Sequence, residues 1–194
     1  MRYARLHHRL LAFFIDVLVL GGLVLLTILS IPPLIGLWPL EVQSGWLLEP
    51  YVLFTVSLPS WLYFALCESS PAQATIGKLI LGLYVTDDDG ARLSFPRAMA
   101  RTLFKFLPWE LFHLSLLIPH PVFAPGADQF RLGFVFVYAM LVLYVGFCWW
   151  SPERQSVHDL MTDSCVLRRP TRAEVEEEER RELAALVEEF QGKP

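Results

Sequence analysis

Charge is scarce in this chain. Of its 194 residues 19% are Asp, Glu, Lys or Arg, whereas 54% are hydrophobic and the mean hydropathy is +0.43. That balance excludes an ordinary water-soluble domain and leaves much apolar surface to face lipid. Cysteine is scarcer still. Cys67, Cys148 and Cys165 include no Cys-x-x-Cys pair, so they form neither a disulfide framework nor a zinc site and read as small packing residues. Basic residues are not interleaved with aromatics on one soluble face, which excludes a nucleic-acid-binding module. Ser57, Ser115, Ser151 and Ser156 belong to no nucleophile motif, and the chain is read as a non-enzyme with no cofactor. No metal site is expected either: Glu110 and His113 are close in sequence, but two residues do not define one.

Long apolar runs are what the chain does have. They extend from Leu10 to Ile31, from Leu47 to Cys67, from Thr102 to Ile118 and from Leu132 to Trp150. A bilayer core needs ~20 apolar residues per helix. The first, second and fourth runs meet this. The third is interrupted by Lys105, Pro108, Glu110 and His113 and is marginal. Arg2, Arg5 and Arg9 resemble a signal n-region, but the run that follows is longer than a signal core and lacks a convincing cleavage site. An uncleaved first span is expected. With four spans and a cytoplasmic N-terminus, every Lys and Arg except Arg131 falls inside, a strong positive-inside asymmetry. Trp38, Trp46, Trp109, Trp149 and Trp150 then sit at span ends as interfacial anchors. The expected fold is an all-α membrane protein of four transmembrane helices, both termini cytoplasmic, in the inner (cytoplasmic) cell membrane.

Between the second and third runs the pattern changes. Leu83 to Thr86 alternates and leads into Asp87-Asp88-Asp89-Gly90, which reads as a strand and a tight turn. Ser164 to Arg168 also alternates, so the two can pair as a small cytoplasmic β element. Arg97, Arg101 and Lys105 recur every four residues, placing three cations on one helix face. That reads as a basic interfacial helix, with Lys78, Arg97, Arg101 and Lys105 as binders of anionic lipid headgroups. From Thr171 to Phe190 the chain reads as a charged helix with a short stripe of Leu183, Leu186, Val187 and Phe190. The net charge of -4 is concentrated there. Residues 1–168 form the membrane domain on this reading, and residues 169–194 a cytoplasmic tail able to dock a soluble partner.

Two polar residues in the first run matter most. Arg9 stands at its mouth, and Asp16 lies seven residues and about 10 Å deeper. A carboxylate at that depth costs about 2.5–3.5 kcal/mol unless it meets water, a cation or a donor. It either carries a proton or cation, or holds the bundle together by bonding Thr55, Ser57 or Tyr63. Arg9 is expected to pair with Asp159, or to share a network with Arg154, His158 and Asp159. Pro59 breaks the second run and removes a backbone donor, which calls for a kink or a polar lining.

Three blocks keep their order and spacing: Arg9-x-x-Ala12-x-x-x-Asp16; Thr75-Ile76-Gly77-Lys78 leading to Gly82, Val85, Gly90, Ala98 and Arg101; and Arg154-Gln155-Ser156-Val157-His158-Asp159 leading to Val166. Together they resemble the RDD family of membrane proteins over about residues 1 to 168. The resemblance maps the family's arginine and two aspartates onto Arg9, Asp16 and Asp159. Leu160 to Ser164 departs from the family's small-residue turn. The resemblance implies an architecture and, for some members, cation/proton antiport or transport of small ligands. The expected partners are therefore membrane lipids, a monovalent cation or proton at Asp16, and a second copy of the chain, since four short helices enclose little space. The competing expectation is a non-transporting scaffold or assembly factor.

Overall fold

The computed structural model describes residues 2–34, 45–123 and 131–191. Eight α-helices and two strands follow in order: α1 Leu6–Leu34, α2 Gly45–Val52, α3 Leu58–Ser69, α4 Ile76–Ile80, β1 Leu83–Asp87, α5 Phe95–Leu117, α6 Leu132–Trp150, α7 Val157–Leu160, β2 Ser164–Arg168 and α8 Arg172–Gln191. A π-helical turn, Leu53–Ser57, joins α2 to α3. It directly precedes Pro59. The wider turn sends the Leu58 N–H to the Leu53 carbonyl, absorbing the proline's missing donor without ending the helix.

Three helical segments are long and apolar enough to cross a membrane: Leu6–Leu26, Leu48–Ser69 and Leu132–Trp150. The chain is a multi-span membrane protein. The third run does not qualify among the described residues, and the reason lies in its composition. It is one continuous helix with the basic segment before it, so α5 carries Arg97, Arg101, Lys105 and Glu110. The separate interfacial helix expected from the sequence does not exist. The basic face of α5 turns inward, packed beside α3 and α6. Trp38 lies outside the described residues, as do the side chains of Leu186 and Phe190.

The two alternating segments do pair. β1 and β2 run antiparallel with Val85 opposite Val166. The N-terminal residues extend this sheet: Ala4 N–H donates to the Val166 carbonyl at 2.9 Å, and Arg168 N–H to the Arg2 carbonyl at 2.8 Å. Ala4, Ala12, Leu83, Val85, Leu93, Ala98 and Val166 form the core under the bundle. A second cluster, Leu20, Phe64 and Phe106, lies between the long helices. The outer faces of α6 stay apolar and uncovered, as a lipid-facing helix requires.

The close contact of α1 with α4 fixes the geometry of the polar interior. A Cβ on Gly77 would sit 2.1 Å from the Ala12 carbonyl oxygen. Only glycine lets the two backbones meet. Gly77→Ala is expected to lower stability by about 1–3 kcal/mol, the range for overpacking a tight interior, read as a drop in melting temperature in detergent. Gly146→Ala, where a Cβ meets nothing within 4 Å, is the control and should leave the melt unchanged.

Candidate functional site

Two polar clusters lie inside the bundle. The first is built on Asp16, which is fully buried. Its Oδ1 accepts from the Tyr63 hydroxyl at 2.8 Å and the Gly77 N–H at 2.8 Å. Its Oδ2 accepts from the Thr75 hydroxyl at 2.6 Å. Tyr63 in turn accepts the Ile76 N–H at 3.0 Å. Thr75 caps α4, accepting the Lys78 N–H through its side chain. Asp16 therefore latches the start of α4 to the first and second spans. Tyr63 was among its expected partners; Thr55 and Ser57 are occupied elsewhere, Thr55 with the Tyr51 carbonyl and Ser57 with Glu110.

The second cluster is a chain of ion pairs. Glu68, at the end of α3, is fully buried. Its Oε1 meets Lys78 Nζ at 2.8 Å and Lys105 Nζ at 3.4 Å, and its Oε2 meets Arg101 at 2.6 Å. The same Arg101 guanidinium bonds Asp159, and its Nε donates to Ser164 Oγ at 3.1 Å. Asp159 bonds Arg9 through its other oxygen, which also takes the Ser156 N–H at 2.9 Å. That last bond caps α7, so the same carboxylate is structural and electrostatic at once. Arg9 donates further to the Arg154 carbonyl. The Arg154 residue joins the network through its backbone, not its guanidinium. His158 Nε2 stands 3.4 Å from Asp159.

The electrostatics outside the spans follow from this packing. Burial alone would raise the Asp159 carboxyl, but Arg9 and Arg101 override it and hold the group well below the usual carboxylate range. Burial pushes His158 well below the usual imidazole range, and Arg101, Arg9 and Lys105 push the same way against the pull of Asp159. The His158 ring is thus neutral at pH 7.

Three of the four cations expected at headgroups lie inside the bundle rather than on an open helix face. Arg101, Lys78 and Lys105 are buried or nearly so and converge on Glu68. Arg97 is more open, but its guanidinium bonds the Thr162 and Asp163 carbonyls at 2.7 and 2.6 Å. Glu68 was missed from the sequence. Its signal was weaker than that of Asp16: it stands at the edge of an apolar run rather than inside one, where solvent is a sufficient explanation. Among the described residues no group of three or more His, Cys, Asp or Glu is placed to hold a metal ion.

An α-helical, multi-span protein with buried acidic and basic residues joined in one chain is the class these features define. The family model described as the RDD family matches residues 3–163, and the chain belongs to that family. No curated protein and no solved structure matches it.

Removing one member of a buried ion pair costs about 3–5 kcal/mol, because it strands the other charge. Arg101→Gln is expected to lose at least that much, since it strands Glu68 and Asp159 together. Arg101→Lys should not rescue it, because one ammonium cannot reach both carboxylates; denaturation in mixed micelles reads both. The pH response has a defined sign. A neutral buried histidine binds no proton where the unfolded chain does, so stability is full above about pH 6.5 and falls below it by up to about 1.4 kcal/mol per pH unit. His158→Gln should flatten the melting temperature between pH 7.5 and 5.5 relative to the wild type.

Proposed function

We propose that this RDD-family protein is a non-transporting scaffold of the inner cell membrane, crossing it four times with both termini in the cytoplasm and presenting α8 to a soluble partner. The pairing of residues 2–4 with β2 supports an even number of crossings. Arg2 also bonds Glu174 and Glu178 on α8 at 3.2 and 3.1 Å. These contacts support placing both ends of the described chain on one side, as four crossings would. Helix α5 is the natural fourth: at ~1.5 Å per residue its 23 residues reach ~35 Å, enough for a ~30 Å hydrocarbon core. Arg101 and Lys105 are tolerable there because Glu68 and Asp159 receive them, and Glu110 accepts the Ser57 hydroxyl at 3.0 Å. The excess of Lys and Arg on the side of the termini supports calling it cytoplasmic.

The observation that carries the non-transporting reading is the occupation of Asp16. Both of its oxygens accept donors from the protein itself. A carboxylate that exchanges a proton for a cation must release its partners in each cycle. Here, release would unlatch α4 from α1. The exposed helix α8 supports the scaffold reading. It is anchored at one end by Glu174, which accepts both the N–H and hydroxyl of Thr171 and pairs with Arg168. Its other described side chains are exposed and mostly charged, with Val175, Leu183 and Val187 as exposed large apolar ones.

In proteoliposomes, sodium or potassium uptake driven by a pH gradient is expected to equal that of protein-free vesicles. Asp16→Asn should lower the melting temperature, with a loss of about 1–3 kcal/mol for the weakened acceptor. A coupled cation flux in the wild type that Asp16→Asn abolishes would establish the transport reading in its place.

A further inference from the structure

The ion-pair chain does not balance. Four cations, Arg9, Lys78, Arg101 and Lys105, surround two carboxylates, Glu68 and Asp159. His158 contributes no charge when neutral. Asp16, the nearest further carboxylate, is taken up by its own donors, and counting it still leaves the group positive. Unneutralised cations in a dry interior are costly. Such a lysine either sheds its proton or gains an anion from outside the chain.

There is a place for that anion. A cavity of about 200 Å³ has all four cations in its wall. Its floor is buried: Arg101 is 1% and Lys78 7% exposed. Its mouth is apolar, formed by Leu10 and Phe13 of α1 and Leu141 and Val145 of α6. Those four side chains are 39–51% exposed, on helix faces that meet acyl chains. The entrance therefore opens sideways into lipid. Lys105 Nζ also stands 3.5 Å from the centroid of the Phe64 ring, so part of its charge is held by an aromatic face. Its contact with Glu68, at 3.4 Å, is long for an ammonium–carboxylate bond. His158, which lines the same cavity and is 8% exposed, has a buried Nδ1 with no partner among the described residues. A headgroup hydroxyl would satisfy it.

We propose that this cavity binds an anionic amphiphile, a phosphate-bearing head with an acyl chain, which enters laterally between α1 and α6 and seats its head against Lys78 and Lys105. The chemistry is that of a basic pocket between membrane helices. The surrounding charge selects the head, and the apolar mouth selects the chain. This goes beyond the scaffold reading and does not depend on it, because a bound lipid neither requires nor forbids transport.

Native mass spectrometry of the full chain in dodecyl maltoside tests it, with dioleoyl phosphatidylglycerol, dioleoyl phosphatidylcholine and inorganic phosphate as probes. The wild type is expected to retain phosphatidylglycerol at least tenfold more tightly than phosphatidylcholine, and millimolar phosphate should not displace it. Val145→Trp and Leu141→Trp narrow the mouth, leave the cations in place and should weaken phosphatidylglycerol binding at least tenfold. Val142→Trp, on the same helix but outside the cavity wall, should have no effect. Lys105→Gln should erase the preference between the two lipids. Equal retention of both lipids by the wild type overturns the proposal, as does binding unchanged in both mouth variants. Displacement by inorganic phosphate would mean a soluble anion occupies the site and would overturn the amphiphile. If Lys105→Gln fails to fold, wild-type selectivity and the mouth variants still decide the matter.

Discussion

One guanidinium holds this molecule together. Arg101 of α5 bridges Glu68 of α3 and Asp159 of α7, and all three side chains are at most 1% exposed. A planar fork with several donors can serve two carboxylates at once; an ammonium is a single point. Through Asp159 the bridge reaches Arg9 at the start of α1, and through Glu68 it reaches Lys78 in α4. Five helices and the sheet below them are thereby brought to one point. Isolated, each of these charges would be expensive in lipid. Together they satisfy one another, and the cost becomes a constraint on geometry: a helix that shifts strands a charge.

Asp16 works on the same principle with neutral donors. Its partners are a phenol, a hydroxyl and a main-chain N–H, the first from α3 and the other two from the start of α4. The third exists only because Gly77 has no side chain to keep α4 away from α1. The Gly-Lys pair in the middle motif thus divides its labour. Gly77 supplies the close approach and its N–H to Asp16, and Lys78 sends its ammonium to Glu68. One short helix couples the two polar clusters.

The sequence made some of this legible and hid the rest for physical reasons. Alternation exposed β1 and β2, because a half-buried strand repeats every two residues whatever its partner. Asp16 stood out because charge inside a lipid-length run is costly and needs a partner, Arg9 because it stands at the mouth of that run, and Asp159 through the family resemblance. The basic face of α5 was visible as a pattern, but its direction was not. A stripe of Arg97, Arg101 and Lys105 looks the same whether it faces phosphates outside or carboxylates inside. Glu68 decides between these, and its position at a span end let water account for it. Periodicity records which residues share a face; only the packing of helices says what that face meets.

That distinction also governs what α5 is. By hydropathy it fails as a membrane span, since hydropathy scores each side chain as though it met lipid. Its cations meet Glu68 and Asp159 instead, and the buried Thr102 donates its hydroxyl to the Ala98 carbonyl at 2.9 Å. Its apolar remainder, including Leu103 and Leu107, is the part left to face outward. A helix whose polar side is sealed by its neighbours presents lipid with a surface more apolar than its sequence average. In a bundle built around internal ion pairs, the helix that carries the interior charges therefore scores as less apolar than the face it turns outward.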